Sequence, residues 1–107
     1  MADLPIDFNG LNSTVHGPLR LGILTALRMD GPLDFTTIKH RLKAADGVLG
    51  MNLRKLEDEA YITCSKSFVG RRPKSTYQIT EAGITALADY LAAMRRLLET
   101  LDSNPAE

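Results

Sequence analysis

The sequence has one cysteine and two histidines, and each shortage closes a route. A lone Cys64 excludes an internal disulfide and suits a reducing compartment, so a cytoplasmic location is expected. His16 precedes a predicted helix and His40 lies within one. Neither stands at the ligand spacing of a zinc site, so no metal and no cofactor is expected. No glycine-rich loop follows a strand, which leaves nucleotide binding without support. Nothing points to a pair of catalytic carboxylates, and the chain is read as not an enzyme, with no catalytic residue assigned. No stretch of about 18 apolar residues is present to span a membrane. The opening MADLPIDFNG has neither the basic start nor the apolar centre of a signal peptide.

Net charge is lacking too: 13 basic residues stand against 13 acidic ones. The balance hides a segregation. Residues 1–34 carry two bases and four acids, 35–80 nine bases and four acids, and 81–107 two bases and five acids. The middle of the chain is therefore basic. Local potential, more than net charge, decides what docks where. Three of the four central acids are adjacent, at Glu57, Asp58 and Glu59, near a predicted helix end.

With 107 residues, 44% of them apolar and 24% charged, one soluble domain with a modest core is expected. Residues 1–16 read as an N-terminal arm, with Leu4, Ile6 and Phe8 packing on the body and a short helical turn allowed near Leu11–Val15. Pro18 suits the first position of a helix predicted over Pro18–Met29, with Leu19, Ile23, Leu24 and Leu27 buried. Asp30-Gly31-Pro32 stops it. Leu33–Phe35 is a minimal strand. Thr36 is expected to cap a helix over Thr37–Ala44, and Asp46 a third over Gly47–Glu59 with Leu49, Leu53 and Leu56 inward. The two have the form of a helix-turn-helix.

A hairpin follows over Tyr61–Thr80. Ile62, Cys64, Tyr77 and Ile79 point inward, and a Gly70–Lys74 turn leads to a return strand over Ser75–Ile79. This stretch contains Lys66, Arg71, Arg72 and Lys74 and no acid. Thr80 then caps a helix predicted over Glu81–Leu101. Its Ile84, Leu87, Leu91, Met94, Leu98 and Leu101 are spaced 3, 4, 3, 4, 3, a heptad seam suited to a second copy of the chain.

This order is the winged helix-turn-helix plan: mainly α with a small β-hairpin (α+β). Residues 17–80 form the expected core, 81–102 a C-terminal dimerisation helix, and 103–107 a tail. In such a plan the third helix enters the major groove of duplex DNA. The candidates on it are Gly47, Val48, Gly50, Met51, Asn52, Arg54 and Lys55. Asn52 is expected at an adenine edge, Met51 at a thymine methyl, and Arg54 and Lys55 at phosphates. The wing residues Lys66, Arg71, Arg72 and Lys74 are expected on backbone or minor groove.

The combination Leu53-Arg54-Lys55-Leu56-Glu57, Tyr61-Ile62, Lys66-Ser67-Phe68, Gly70-Arg71-Arg72-Pro73, Thr76-Tyr77 and Thr80-Glu81-Ala82-Gly83 resembles the winged-helix family of small bacterial and archaeal transcriptional regulators related to the MarR and ArsR groups. The resemblance spans about Leu19 to Leu98. It departs from the family pattern at Ala60, where glycine is usual, and at Gly50 and Asn52, where serine and histidine are frequent. It implies a homodimer that binds double-stranded DNA sequence-specifically to regulate transcription; the effector is unknown. The alternative class is a winged-helix protein-interaction module that binds no DNA and docks a partner through its last helix.

Overall fold

The computed structural model describes residues 10–103. The expectations for Leu4, Ile6, Phe8 and most of the tail lie outside the described residues. Seven elements follow in order: α1 (Pro18–Asp30), β1 (Leu33–Asp34), α2 (Phe35–Leu42), α3 (Asp46–Asp58), β2 (Ile62–Val69), β3 (Arg72–Ile79) and α4 (Glu81–Ser103). The fold is α+β, a winged helix with a long C-terminal helix.

Helix α1 begins at Pro18 and ends where Gly31 takes φ +79, a left-handed value that glycine adopts at little cost. It turns Ile23, Leu24 and Leu27 into the core. Helix α3 meets it with Leu49, Leu53 and Leu56, and Ile38 of α2 is equally buried. Each fully buried leucine or isoleucine contributes about 2 kcal/mol relative to exposure. This apolar stripe, more than intrinsic propensity, therefore holds α3 with its two internal glycines.

Two helix caps differ from expectation. Asp34, not Thr36, caps α2: its carboxylate accepts the Thr37 N–H at 2.9 Å. The helix therefore starts two residues earlier than predicted, and bonding to Thr37 holds the Asp34 carboxyl below its usual range. Asp46 is not the cap of α3 but its first residue; Ala45 precedes it with no side-chain bond. Asp46 instead pairs with Lys39 of α2 at 2.7 Å, an ion pair across the turn.

The three strands are antiparallel in the order β1-β3-β2. Strand β1 pairs only with the base of β3, Leu33 opposite Tyr77 and Asp34 opposite Thr76. Strands β2 and β3 pair from Ile62–Ile79 to Val69–Arg72. The connecting turn is thus two residues, Gly70-Arg71, and the return strand starts at Arg72 rather than Ser75. Gly70 has φ +66 at the first central position, as a II′ turn requires. Pro73 lies inside β3, where no third strand needs its missing N–H.

Base and helix are joined by a tight knot. Thr80 Oγ1 accepts the Gly83 N–H at 3.0 Å, the expected cap, and donates to the Ala60 carbonyl at 2.7 Å. The Thr80 N–H donates to the Tyr61 carbonyl at 3.0 Å. A Cβ on Gly83 would collide with that same carbonyl and sit 2.8 Å from Ile79 Cγ1. Glycine stands at position 83 because the strand backbone passes against the helix there.

The last helix faces two ways. Gly83, Ala86, Leu87, Tyr90 and Ala93 are buried. Tyr90 shares a 2.7 Å hydrogen bond with His16 Nδ1. Ahead of α1, Asn12 Oδ1 accepts the Thr14 and Val15 N–H groups and its amide donates to Tyr61 Oη at 2.7 Å. These bonds close the turn expected near Leu11–Val15. No helix among the described residues is long and apolar enough to cross a membrane.

Candidate nucleic-acid interface

Helix α3 presents Gly47, Val48, Met51, Arg54 and Lys55 to solvent, while Gly50 is half-buried. The face is slim and partly apolar: Val48 is 48% and Met51 52% exposed. The three-residue connection Lys43–Ala45 sets this helix after α2. Lys43 takes φ +52 there and its N–H donates to the Lys39 carbonyl, ending α2 sharply.

Asn52 is a correction. Expected at a base edge, it is only 8% exposed. Its place is on the 49/52/53/56 stripe, which is the inward side of the helix. Its Nδ2 donates to the Val48 carbonyl at 2.7 Å, and its Oδ1 accepts from Arg20 Nη1 at 2.7 Å. Both ends of the amide are engaged inside the protein, so it has no free edge for a base.

Arg20 was missed by the sequence reading. Besides Asn52, its guanidinium donates from Nε to the Thr14 carbonyl at 2.5 Å and from Nη2 to the Ser13 carbonyl at 3.4 Å. One side chain of α1 thus ties the N-terminal turn to α3 at Asn52, the residue next to Met51. The signal was present: position 20 shares the inward side of α1 with Ile23, Leu24 and Leu27. A charged residue on that side needs a partner, and Asn52 on the inward side of α3 supplies one.

On the hairpin, Lys66, Arg71, Arg72 and Lys74 are all exposed. The ion pairs among the described residues are Lys39–Asp46 and Arg41–Asp30. Neither uses an α3 or wing cation. Cys64 lies half-buried against the core, opposite Tyr77. Burial, and then the Cys64 thiol, push the Tyr77 phenol up to about 12, so it stays neutral.

The six-residue seam of α4 divides, which is a second correction. Leu87 belongs to the core of its own chain, and Met94 packs partly against it. Ile84 is half-buried, whereas Leu91, Leu98 and Leu101 are exposed. The inward side of the helix is shifted from the heptad toward Ala86, Tyr90 and Ala93, so one stripe cannot serve both surfaces.

No group of three or more His, Cys, Asp or Glu placed to hold a metal ion occurs among the described residues.

Comparison with known proteins bears on this geometry. A family model described as a winged helix DNA-binding domain matches residues 19–98. An uncharacterised protein of Methanocaldococcus jannaschii is 29% identical over 84 residues, covering 78% of this chain and 91% of the relative. The structure of a transcriptional regulator homologue from Pyrococcus horikoshii superposes with a TM-score of 0.79 at 25% identity, covering 88% of this chain and 94% of that one. A zinc-responsive MarR family member of Lactococcus lactis superposes with a TM-score of 0.60 at 21% identity, over 80% and 58% of the two chains, and shares the fold.

Proposed function

Because the chain belongs to the family of winged helix DNA-binding domains, we propose that it is a transcriptional regulator that binds double-stranded DNA sequence-specifically as a homodimer. Residues 17–80 form the binding unit and α4 the dimerisation helix. The observation that carries this reading is the exposure of Lys66, Arg71, Arg72 and Lys74 on a hairpin without a single acid, directly after a helix whose outward side is slim and cationic at Arg54 and Lys55. The likeness to the Pyrococcus horikoshii regulator homologue supports the same role.

Gly47, Val48, Gly50 and Met51 approach the major-groove edges of the bases, with Met51 suited to a thymine methyl. Arg54 and Lys55 contact phosphates, and the wing cations grip backbone or minor groove. Two copies place their α3 helices in successive major grooves, about 34 Å apart.

The test is fluorescence anisotropy of labelled duplex DNA against salt concentration. Each phosphate contact contributes about −0.9 to the slope of log K on log salt, so Arg71→Ala with Arg72→Ala flattens the slope by roughly 1.8. Absence of salt-sensitive binding at low salt defeats the proposal. For the dimer, the interface is Leu91, Leu98 and Leu101, with Ile84 and Met94 at its edge. Leu98→Glu is expected to halve the light-scattering mass; an unchanged mass would move the interface off α4.

A further inference from the structure

Phe68 is 73% exposed and Val69 61% exposed, at the end of β2 immediately before the Gly70-Arg71 turn. Nothing within the described residues covers most of this phenylalanine at the far end of the hairpin. Four residues lie between Cys64, the last β2 residue among the apolar side chains packed on the core, and Val69. The tip residues Val69, Arg72 and Pro73 border an open cleft with Asp34, Phe35 and Thr36 at the start of α2, and Phe68 still leaves 73% of its surface exposed.

The register says what surrounds the ring. Phe68 lies directly opposite Pro73, and Lys66, two residues earlier on the same strand, opposite Ser75. Alternation puts Lys66, Phe68 and Pro73 on one side of the hairpin. It is the side whose base carries Ile62 and Tyr77 and packs against the helices. Arg71 and Arg72 follow at the turn. The result is a thin blade: an aromatic ring backed by a rigid proline, flanked by cations, with no acid from Tyr61 to Thr80.

That charge selects the occupant. An apolar protein surface would leave Lys66, Arg71 and Arg72 unmatched, whereas a nucleic-acid groove satisfies cations at its phosphate walls and an apolar ring at its floor. Proteins that occupy the minor groove commonly insert Phe, Pro or Leu between base steps and kink the duplex. We infer that Phe68, backed by Pro73, is a minor-groove wedge that partly unstacks a base step, so that the wing bends the DNA as well as holding it. This rests on the DNA-binding reading above and adds to it a deformation of the duplex. Specificity then includes a step the protein reads by flexibility, with pyrimidine–purine steps such as TA favoured because they open most easily.

The probe is a duplex of about 30 base pairs with 2-aminopurine beside a central TA step, whose fluorescence rises on unstacking, and a companion duplex in which the step is AA. The wild-type protein is expected to raise the emission and to prefer the TA duplex by about tenfold, the scale of one base-stacking contact. Phe68→Ser is expected to keep the salt slope and melting temperature of the wild type but lose both the emission change and the preference. Phe68→Leu retains an apolar wedge and is expected to fall between them. Wild-type binding with no emission change, or a change that Phe68→Ser preserves, overturns the wedge and leaves DNA binding standing. Failure of the wild type to bind either duplex at low salt overturns both.

Discussion

The base and the tip of the hairpin are made by the same two strands, in one unbroken register, yet they obey opposite rules. At the base, Ile62 and Tyr77 are buried and the Thr80 hydroxyl joins Ala60 to Gly83. At the tip, every residue from Ser65 to Lys74 is open to solvent, and four of them are cationic. A substitution at the base changes how firmly the wing is mounted. A substitution at the tip changes only what the wing meets. Stability and binding are therefore expected to separate along a single hairpin.

The largest effect is expected at Gly83. Adding a methyl group forces either the Tyr61 backbone or the start of α4 to move, and a contact with backbone has no flexible end to yield. Gly83→Ala is expected to destabilise the fold by about 3 kcal/mol, the upper part of the overpacking range. In thermal denaturation this corresponds to a melting point lower by more than about 10 °C. DNA affinity measured well below the transition is expected to change far less. A normal melting point would mean that base and helix are not locked together as described.

Helix α3 repeats the division within two adjacent residues. Met51 is exposed and Asn52 is buried. Asn52→Ala removes the acceptor of Arg20 and leaves a guanidinium group without that partner, at a cost of about 2 kcal/mol, the range for a hydrogen bond to a charged group. Urea unfolding reads the loss directly. Base preference, determined by selecting bound oligonucleotides from a random pool, is expected to stay as in the wild type. A shifted preference with unchanged stability would return Asn52 to the DNA.

The order of elements was readable in the chain because its signals are local: Pro18 at a helix start, Gly31 and Gly70 at turns, and apolar spacing between them. The errors share a cause. Spacing identifies an apolar stripe but not which flanking residues complete its inward side. Asn52 was assigned to the outside of α3 because it is polar, and Leu87 to a partner surface because it fits a heptad. Both are settled by what packs against them, Arg20 in one case and the core in the other. Gly83 was legible only as part of a recurring motif, since its reason lies in the Tyr61 backbone, 22 residues earlier in the chain. The phase of Phe68 was visible in the sequence, but its exposure was not, because strand length alone does not say where the core ends.

The smallest effect is expected at Ala60, and it is the only one with a stabilising sign. The residue takes φ +60, in the left-handed region that costs a residue with a Cβ roughly 1–2 kcal/mol. The geometry is imposed from both sides. The Ala60 N–H donates to the Glu57 carbonyl at 2.9 Å as α3 ends, and its own carbonyl accepts the Thr80 hydroxyl at 2.7 Å as α4 begins. Its side chain is exposed, so removing the methyl group forfeits no buried contact. Glycine relieves the left-handed strain but adds freedom to the unfolded chain, which returns part of the gain. Ala60→Gly is therefore expected to stabilise the protein by about 0.5–1 kcal/mol, raising the melting point by a few degrees with the DNA salt slope unchanged. A lower melting point would show that the exposed methyl group contributes more than its backbone angle costs, and that the base of the wing is held by contacts at Ala60 and not in spite of it.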